Sequence, residues 1–181
     1  MMATPSILLG PIVGGLSHNS ANIWARAEAQ STLHVWLATY SNFNDAELVG
    51  ETELISDNGY AGIVPVANLK PETLYHYAVS LQKTKPPHTD FHSFTTFSEP
   101  STPRSFSFLF GSCFLPEGRE GSLTFDEIHK RIEPDNLRFG LFIGDQIYAD
   151  DAKHNGLDKI AVTLDDYRSA YKNAWSYLPM Q

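Results

Sequence analysis

The sequence has a single cysteine, no long apolar run and no surplus of positive charge, and each shortage closes off a class of protein. One cysteine, Cys113, allows no internal disulfide framework, so cross-links set neither the fold nor the redox compartment. The apolar stretch Ile7 to Leu16 is interrupted by Gly10 and Pro11, follows no Lys or Arg, and is far too short to cross a bilayer. No membrane span and no signal peptide are expected, which points to the cytoplasm for the sequence as it stands. Thirteen Lys and Arg stand against 21 Asp and Glu, a formal net charge of -8, with no basic stripe to offset it. Nucleic-acid backbones and anionic membrane surfaces are therefore unfavourable partners. There is no internal repeat and no low-complexity tract.

What is present suffices for a globular protein of one large or two small domains. Of the 181 residues, 42% are hydrophobic, enough to bury a core. In so acidic a chain, a phosphate-bearing small substrate would need local positive charge, and bound metal cations are its obvious source.

From Ile7 to Phe97 the chain gives short runs rich in β-branched and aromatic residues, spaced by Gly, Asn, Asp and Pro turns, which is an all-β rhythm. The candidate strands are Ala21 to Ala27, Thr32 to Thr39, Glu47 to Ile55, Ala61 to Val66, Leu74 to Leu81 and Phe91 to Phe97. In the second of these, Leu33, Val35 and Leu37 alternate with His34, Trp36 and Ala38, so neither face is strongly polar and an interior position is expected. The segment from Leu69 to Val79 places Leu69, Pro71, Thr73 and Tyr75 at alternate positions and resembles the Leu-x-Pro-x-Thr-x-Tyr pattern of fibronectin type III domains. In immunoglobulin-like sandwiches a Tyr at this corner hydrogen-bonds its hydroxyl back to nearby backbone, so Tyr75 is expected to be structural. Residues 1–97 thus read as a fibronectin III/Ig-like β-sandwich, and 98–105, with two prolines and no apolar periodicity, as a linker.

Beyond the linker the rhythm changes. Phe106 to Phe110 and Leu137 to Ile143 are near-continuous apolar strands, and between them Thr124 to Ile132 has helical spacing. Strand, helix, strand in that order is a βαβ unit with a parallel pair, both faces of which need cover. A last helix is expected from Asp165 to about Tyr177, beginning near Thr163 or Leu164 and ending before Pro179. Its predicted buried stripe is Tyr167, Ala170, Tyr171, Ala174 and Trp175.

Both strands of the βαβ unit run into segments suited to a site, Gly111-Ser112-Cys113 and Gly144-Asp145-Gln146-Ile147-Tyr148. Ligands of parallel sheets bind beyond the carboxyl ends of the strands, so Cys113 and Asp145 should come together. The two glycines would let the backbone turn sharply there. Taken singly, Cys113 could be a small buried hydrophobe, Gly144-Asp145 a turn and Tyr148 a core aromatic. Taken jointly, thiolate, carboxylate and phenolate suit a highly charged metal. A phenol loses its proton near pH 10 in water, so a phenolate at neutral pH needs a strong Lewis acid, for which a ferric ion would suffice. A carboxylate such as Asp145 can also bridge to a second metal, and two such cations could clamp a phosphate and activate a water.

Phe-Gly-Ser-Cys at Phe110 to Cys113 and Gly-Asp-Gln-Ile-Tyr-Ala-Asp at Gly144 to Asp150 resemble the two opening metal motifs of the PhoD-like alkaline phosphatases, a branch of the calcineurin-like metallophosphoesterases. The resemblance extends to Leu8, Gly10 and Pro11 with Trp24 and Arg26, and to Asp166-Tyr167-Arg168. It implies that Cys113 and Tyr148 bind Fe3+, that Asp145 bridges to a second divalent metal, Ca2+ in characterised relatives, and that the reaction is phosphomonoester or phosphodiester hydrolysis. It also implies frequent export, and it makes 106–181 the start of a metallophosphoesterase domain. The family's later ligand segments, Asp-Asp-His-Asp/Glu and Gly-Asp-x-His, do not occur among these 181 residues. The expectation is therefore a truncated domain, a fragment or early-terminated frame with a partial site, inactive alone, whose exposed sheet edge could drive self-association.

The remaining histidines are not expected to bind metal. His154 belongs to a polar loop with Asn155, beside Asp150 and Asp151, which read as a solvated pair or a cap. His88 and His92 flank a hairpin, and His129 lies on the polar side of a helix. Arg104 and Arg119 remain available to meet a phosphate. The competing reading is non-enzymatic, a β-sandwich recognition module with a degenerate appendage.

Overall fold

The structure, a computed structural model, describes residues 5–87, 91–113 and 119–176, with side chains in all of these except 119–123. The expectations for His88, for Tyr177 and Pro179 at the end of the last helix, and for the Arg119 side chain lie outside these residues. The chain divides into two compact units, Met1–Arg104 and Ser105–Gln181.

The first unit holds strands β1 (Ile7–Gly14), β2 (Ala21–Ala27), β3 (Ser31–Ala38), β4 (Glu47–Leu54), β5 (Ala61–Val66), β6 (Leu74–Ser80) and β7 (His92–Thr95). They form two antiparallel sheets, ordered β1-β2-β5 and β4-β3-β6-β7. Period-two alternation supplies the inner faces. Ala21, Ile23, Ala25 and Ala27 of β2 and Val64 and Val66 of β5 join Leu33, Val35, Leu37, Leu54, Tyr75, Tyr77 and Phe94 in one core. As expected, β3 is interior, between β4 and β6. Its other face carries a small second cluster, in which Ala38 and Ala78 pack on Phe43 from the loop after β3. Close packing leaves no spare volume: a Cβ added at Gly50 would lie 2.5 Å from Val64 Cγ1.

The corner before β6 is bolted from two sides. Tyr75 accepts a hydrogen bond from the Lys70 backbone N–H at its hydroxyl, 2.8 Å, as the fibronectin-like pattern predicts. Thr96, fully buried, donates to Lys70 O at 2.6 Å and accepts from Thr73 N–H at 3.0 Å, so the backbone groups freed by the turn are satisfied.

Strand β1 was not among the strands expected from sequence, because Gly10-Pro11 reads as a breaker. The structure accommodates the pair at a sheet edge, with register shifts between Ile7 and Leu9 and between Leu9 and Ile12. An edge strand has one row of N–H groups free of the ladder, so proline is tolerated there. Gly10 takes φ +89°, and a Cβ there would lie 3.0 Å from Trp24 O.

The second unit opens with β8 (Ser107–Gly111), continues through helix α1 (Arg119–Arg131) to β9 (Leu137–Phe142), and ends in α2 (Leu164–Trp175). Strands β8 and β9 pair in parallel, with Leu109 opposite Gly140 and Gly111 opposite Phe142. Phe108 stacks on Phe139 at 5.2 Å. Helix α2 starts from a capping box: Thr163 Oγ1 accepts from Asp166 N–H, and the Asp166 carboxylate accepts from Thr163 N–H. The buried stripe matches the expected one at Ala170 and Ala174 and departs from it at the tyrosines. Asp166, Ala170 and Ala174 are its inward positions, while Tyr167 and Tyr171 are exposed. The cap explains the shift, since the Asp166 carboxylate must turn inward to reach Val162 N–H and Thr163 N–H and to pair with Lys159 Nζ at 2.5 Å.

Candidate functional site

The parallel ladder continues past both strand ends. Ile143 N–H donates to Gly111 O at 2.9 Å, and Cys113 N–H donates to Gly144 O at 3.2 Å. This register sets the two loops side by side, and it sets Cys113 against Asp145: the thiol donates to Asp145 Oδ2 at 3.3 Å. Both residues adopt left-handed backbone, φ +63° at Cys113 and +47° at Asp145, and Gly144 between the strand and Asp145 has φ +155°. Residues with a Cβ adopt that region at a cost, and it persists only where surrounding structure imposes it. Here the cross-loop amide bond does so.

Tyr148 completes the cluster. The neighbouring Cys113 thiol is the first cause of the raised pKa of its phenol, followed by desolvation and by the charges of Cys113 and Asp145. The three expected residues are thus gathered at one place, with Cys113 and Asp145 exposed and Tyr148 half-buried. Among the described residues no three His, Cys, Asp or Glu side chains gather closely enough to hold a metal. The cluster consists of two such groups and a phenol. In the arrangement seen, a hydrogen bond joins thiol and carboxyl, and the phenol lies near enough for both to raise its pKa. All three become anionic donors on losing a proton, so the donor set fits a strongly Lewis-acidic cation, while supplying few ligands for it.

Other candidates have different partners. His154 Nδ1 lies 2.6 Å from Asp151 Oδ2, and that hydrogen bond is the main reason the Asp151 carboxyl sits below its usual range. Asp151 also accepts from the Lys153 N–H at 3.0 Å, within a turn and not at a helix end. His129 is exposed on α1. His92 lies beside Tyr77 with ring centroids 5.6 Å apart, and burial lowers its pKa. Arg104, held available for phosphate on the sequence reading, instead pairs with Glu72 at 2.6 Å.

Sequence reading passed over two residues that shape these loops. Gln146 donates to Phe142 O at 3.2 Å and closes off β9. Asn155, read as part of a polar loop, is buried and donates to two backbone carbonyls, Ala149 O and Lys159 O. No periodicity marks either; their partners meet only in the folded loop.

With this geometry in view, the chain can be set beside known proteins. The structure of PhoD is similar over 96% of this chain, with TM-score 0.77 and 17% identity, a likeness of fold. The chain spans 36% of the length of that protein. Weaker likenesses, with TM-scores of 0.41 and 0.40, are to the sensor domain of the anti-sigma factor RsgI4 of Pseudobacteroides cellulosolvens and to a fibronectin type III domain of human KIAA0970. The first, at 15% identity, covers 55% of this chain and all of that one, and the second, at 16% identity, covers 54% and 78%. No curated protein matches the sequence. Residues 4–96, the stretch that forms the sandwich, match the family described as Domain of unknown function (DUF7800), and the chain belongs to that family.

Proposed function

We propose that the chain is the front part of a metal-dependent phosphoester hydrolase of the PhoD-like kind, in which Cys113 and Tyr148 hold a ferric ion and Asp145 links it to a second divalent ion, calcium by resemblance. The observation that carries the reading is the contact of the Cys113 thiol with the Asp145 carboxyl at two neighbouring parallel strand ends, with the Tyr148 phenol close enough for both to raise its pKa. The left-handed backbone at both Cys113 and Asp145, a conformation also taken at turns elsewhere in the chain, sets the direction in which the two side chains leave the strand ends. The fold likeness to PhoD supports the reading.

When bound, such cations would polarise a phosphoryl oxygen and lower the pKa of a water. The chain's own residues supply the anionic donors and fix their direction through the Cys113–Gly144 backbone bond. The substrate class is a small phosphomonoester or phosphodiester, which the metal charge would attract to an acidic protein. Three donors do not fill two coordination spheres, so further ligands are needed and this chain alone is expected not to turn over. The edge of the β8–β9 pair is where self-association would begin.

Titration of the purified chain with ferric iron tests the ligand set. The expected result is a visible phenolate-to-iron absorption band that Tyr148→Phe abolishes. A folded wild-type protein without the band, or a band that survives Tyr148→Phe, contradicts the reading.

A further inference from the structure

We infer that Asn155 is a positioning residue that aims Tyr148 at Cys113. The inference rests on the proposed role of Tyr148. Ala149, the next residue, has its carbonyl held by two donors, Asn155 Nδ2 at 3.2 Å and Ala161 N–H at 2.8 Å. Asn155 Nδ2 also donates to Lys159 O at 2.7 Å, so one amide group ties the start of the loop that follows Tyr148 to its end. Its Oδ1 accepts from Leu157 N–H at 2.8 Å. The Asn155 backbone is fixed as well: its N–H donates to Asp151 O at 3.0 Å, and its carbonyl accepts from Asn173 Nδ2 of α2 at 3.3 Å.

Buried amides with every group engaged hold one geometry, and removing the Asn155 donor leaves Ala149 O to Ala161 N–H alone and takes from Lys159 O its bond to Asn155. Tyr148 itself sits on a turn, with Asp151 N–H donating to its carbonyl at 3.0 Å. Its backbone is thus fixed on the far side by that turn and at the next peptide by Asn155. Cys113 and Asp145, by contrast, are aligned by the strand ladder without help from Asn155. Asn155 therefore acts on one member of the cluster and not on the other two.

The test is the nuclear Overhauser contact between the Tyr148 ring and the Cys113 β protons in metal-free protein, in wild type, Asn155→Asp and Asn155→Ser. Asp keeps the size and the acceptor but loses both donated bonds. The expected result is a contact present in wild type and lost in a variant whose α2 resonances and Cys113 amide protection persist. A contact that survives in either folded variant overturns the inference. So does loss of α2 in both, which would make Asn155 a scaffold residue only. Absence of the contact in wild type overturns it as well. The iron band is recorded in parallel: a contact that behaves as expected without any band means that the ligand reading fails while the positioning stands.

Discussion

In the sandwich, Ile23, Leu33, Val35 and Leu54 have no exposed surface, whereas in the second unit Phe110, Ile143 and Val162 are 70%, 66% and 77% exposed. The two regions differ in topology. An antiparallel pair of sheets brings two alternating faces together and closes its own core. A single parallel pair has two apolar faces, and the described residues cover them only in part. The candidate site lies in the second unit, at the strand ends, where the backbone is held by a few cross-loop hydrogen bonds.

That contrast can be broken by mutation. Leu33→Ala should cost about 2–5 kcal/mol in chemical unfolding, through lost transfer energy and a cavity that the sandwich cannot close. The matching truncation in the second unit, Phe110→Ala, should shift the same curve by less than about 0.5 kcal/mol. Equal losses would mean that Phe110 is covered in solution. Tyr75→Phe should cost about 1–2 kcal/mol in the same assay, because the Lys70 N–H loses its acceptor at the corner. An unchanged midpoint would remove the corner bolt from the account.

A smaller effect should distinguish the second unit by its pH dependence. The Lys159 ammonium, then the Thr163 and Val162 N–H groups, hold the Asp166 carboxyl well below the usual carboxylate range. A lowered carboxyl contributes stability that is present above its unfolded pKa and lost as pH falls through the folded one. Helix α2, followed by amide exchange, should therefore be weaker in Asp166→Asn than in wild type at neutral pH. The two should converge in strong acid. A gap that persists there would show that the lost bonds are not those of the ionised group.

Much of this architecture is legible before folding. Short runs of strand-forming residues between turn residues set β2 and β5 at Ala21–Ala27 and Ala61–Val66, the bounds observed. Tyr75 is legible because its corner has a sequence pattern. Strand β1 is not, since a glycine and a proline that end most strands are harmless at an edge with bulges. The α2 stripe is legible at Ala170 and Ala174 but not at Tyr167 and Tyr171, because the cap turns Asp166 inward and the tyrosines away.

The same division runs through the candidate site. The meeting of Cys113 with Asp145 follows from parallel strands and their carboxyl ends, both readable in sequence. The left-handed turns at those residues are not readable, because neither is a glycine and the conformation is imposed across the loops. Asn155 is invisible for a related reason, since its carbonyl partners are supplied by backbone six residues before and four after.

The central claim is that Cys113, Asp145 and Tyr148 are ligands to one iron centre. X-ray absorption at the iron edge of the ferric-loaded protein tests it most directly. The account predicts a sulfur neighbour to iron that disappears in Cys113→Ser, and a spectrum with only nitrogen and oxygen neighbours in the folded wild-type protein would contradict it.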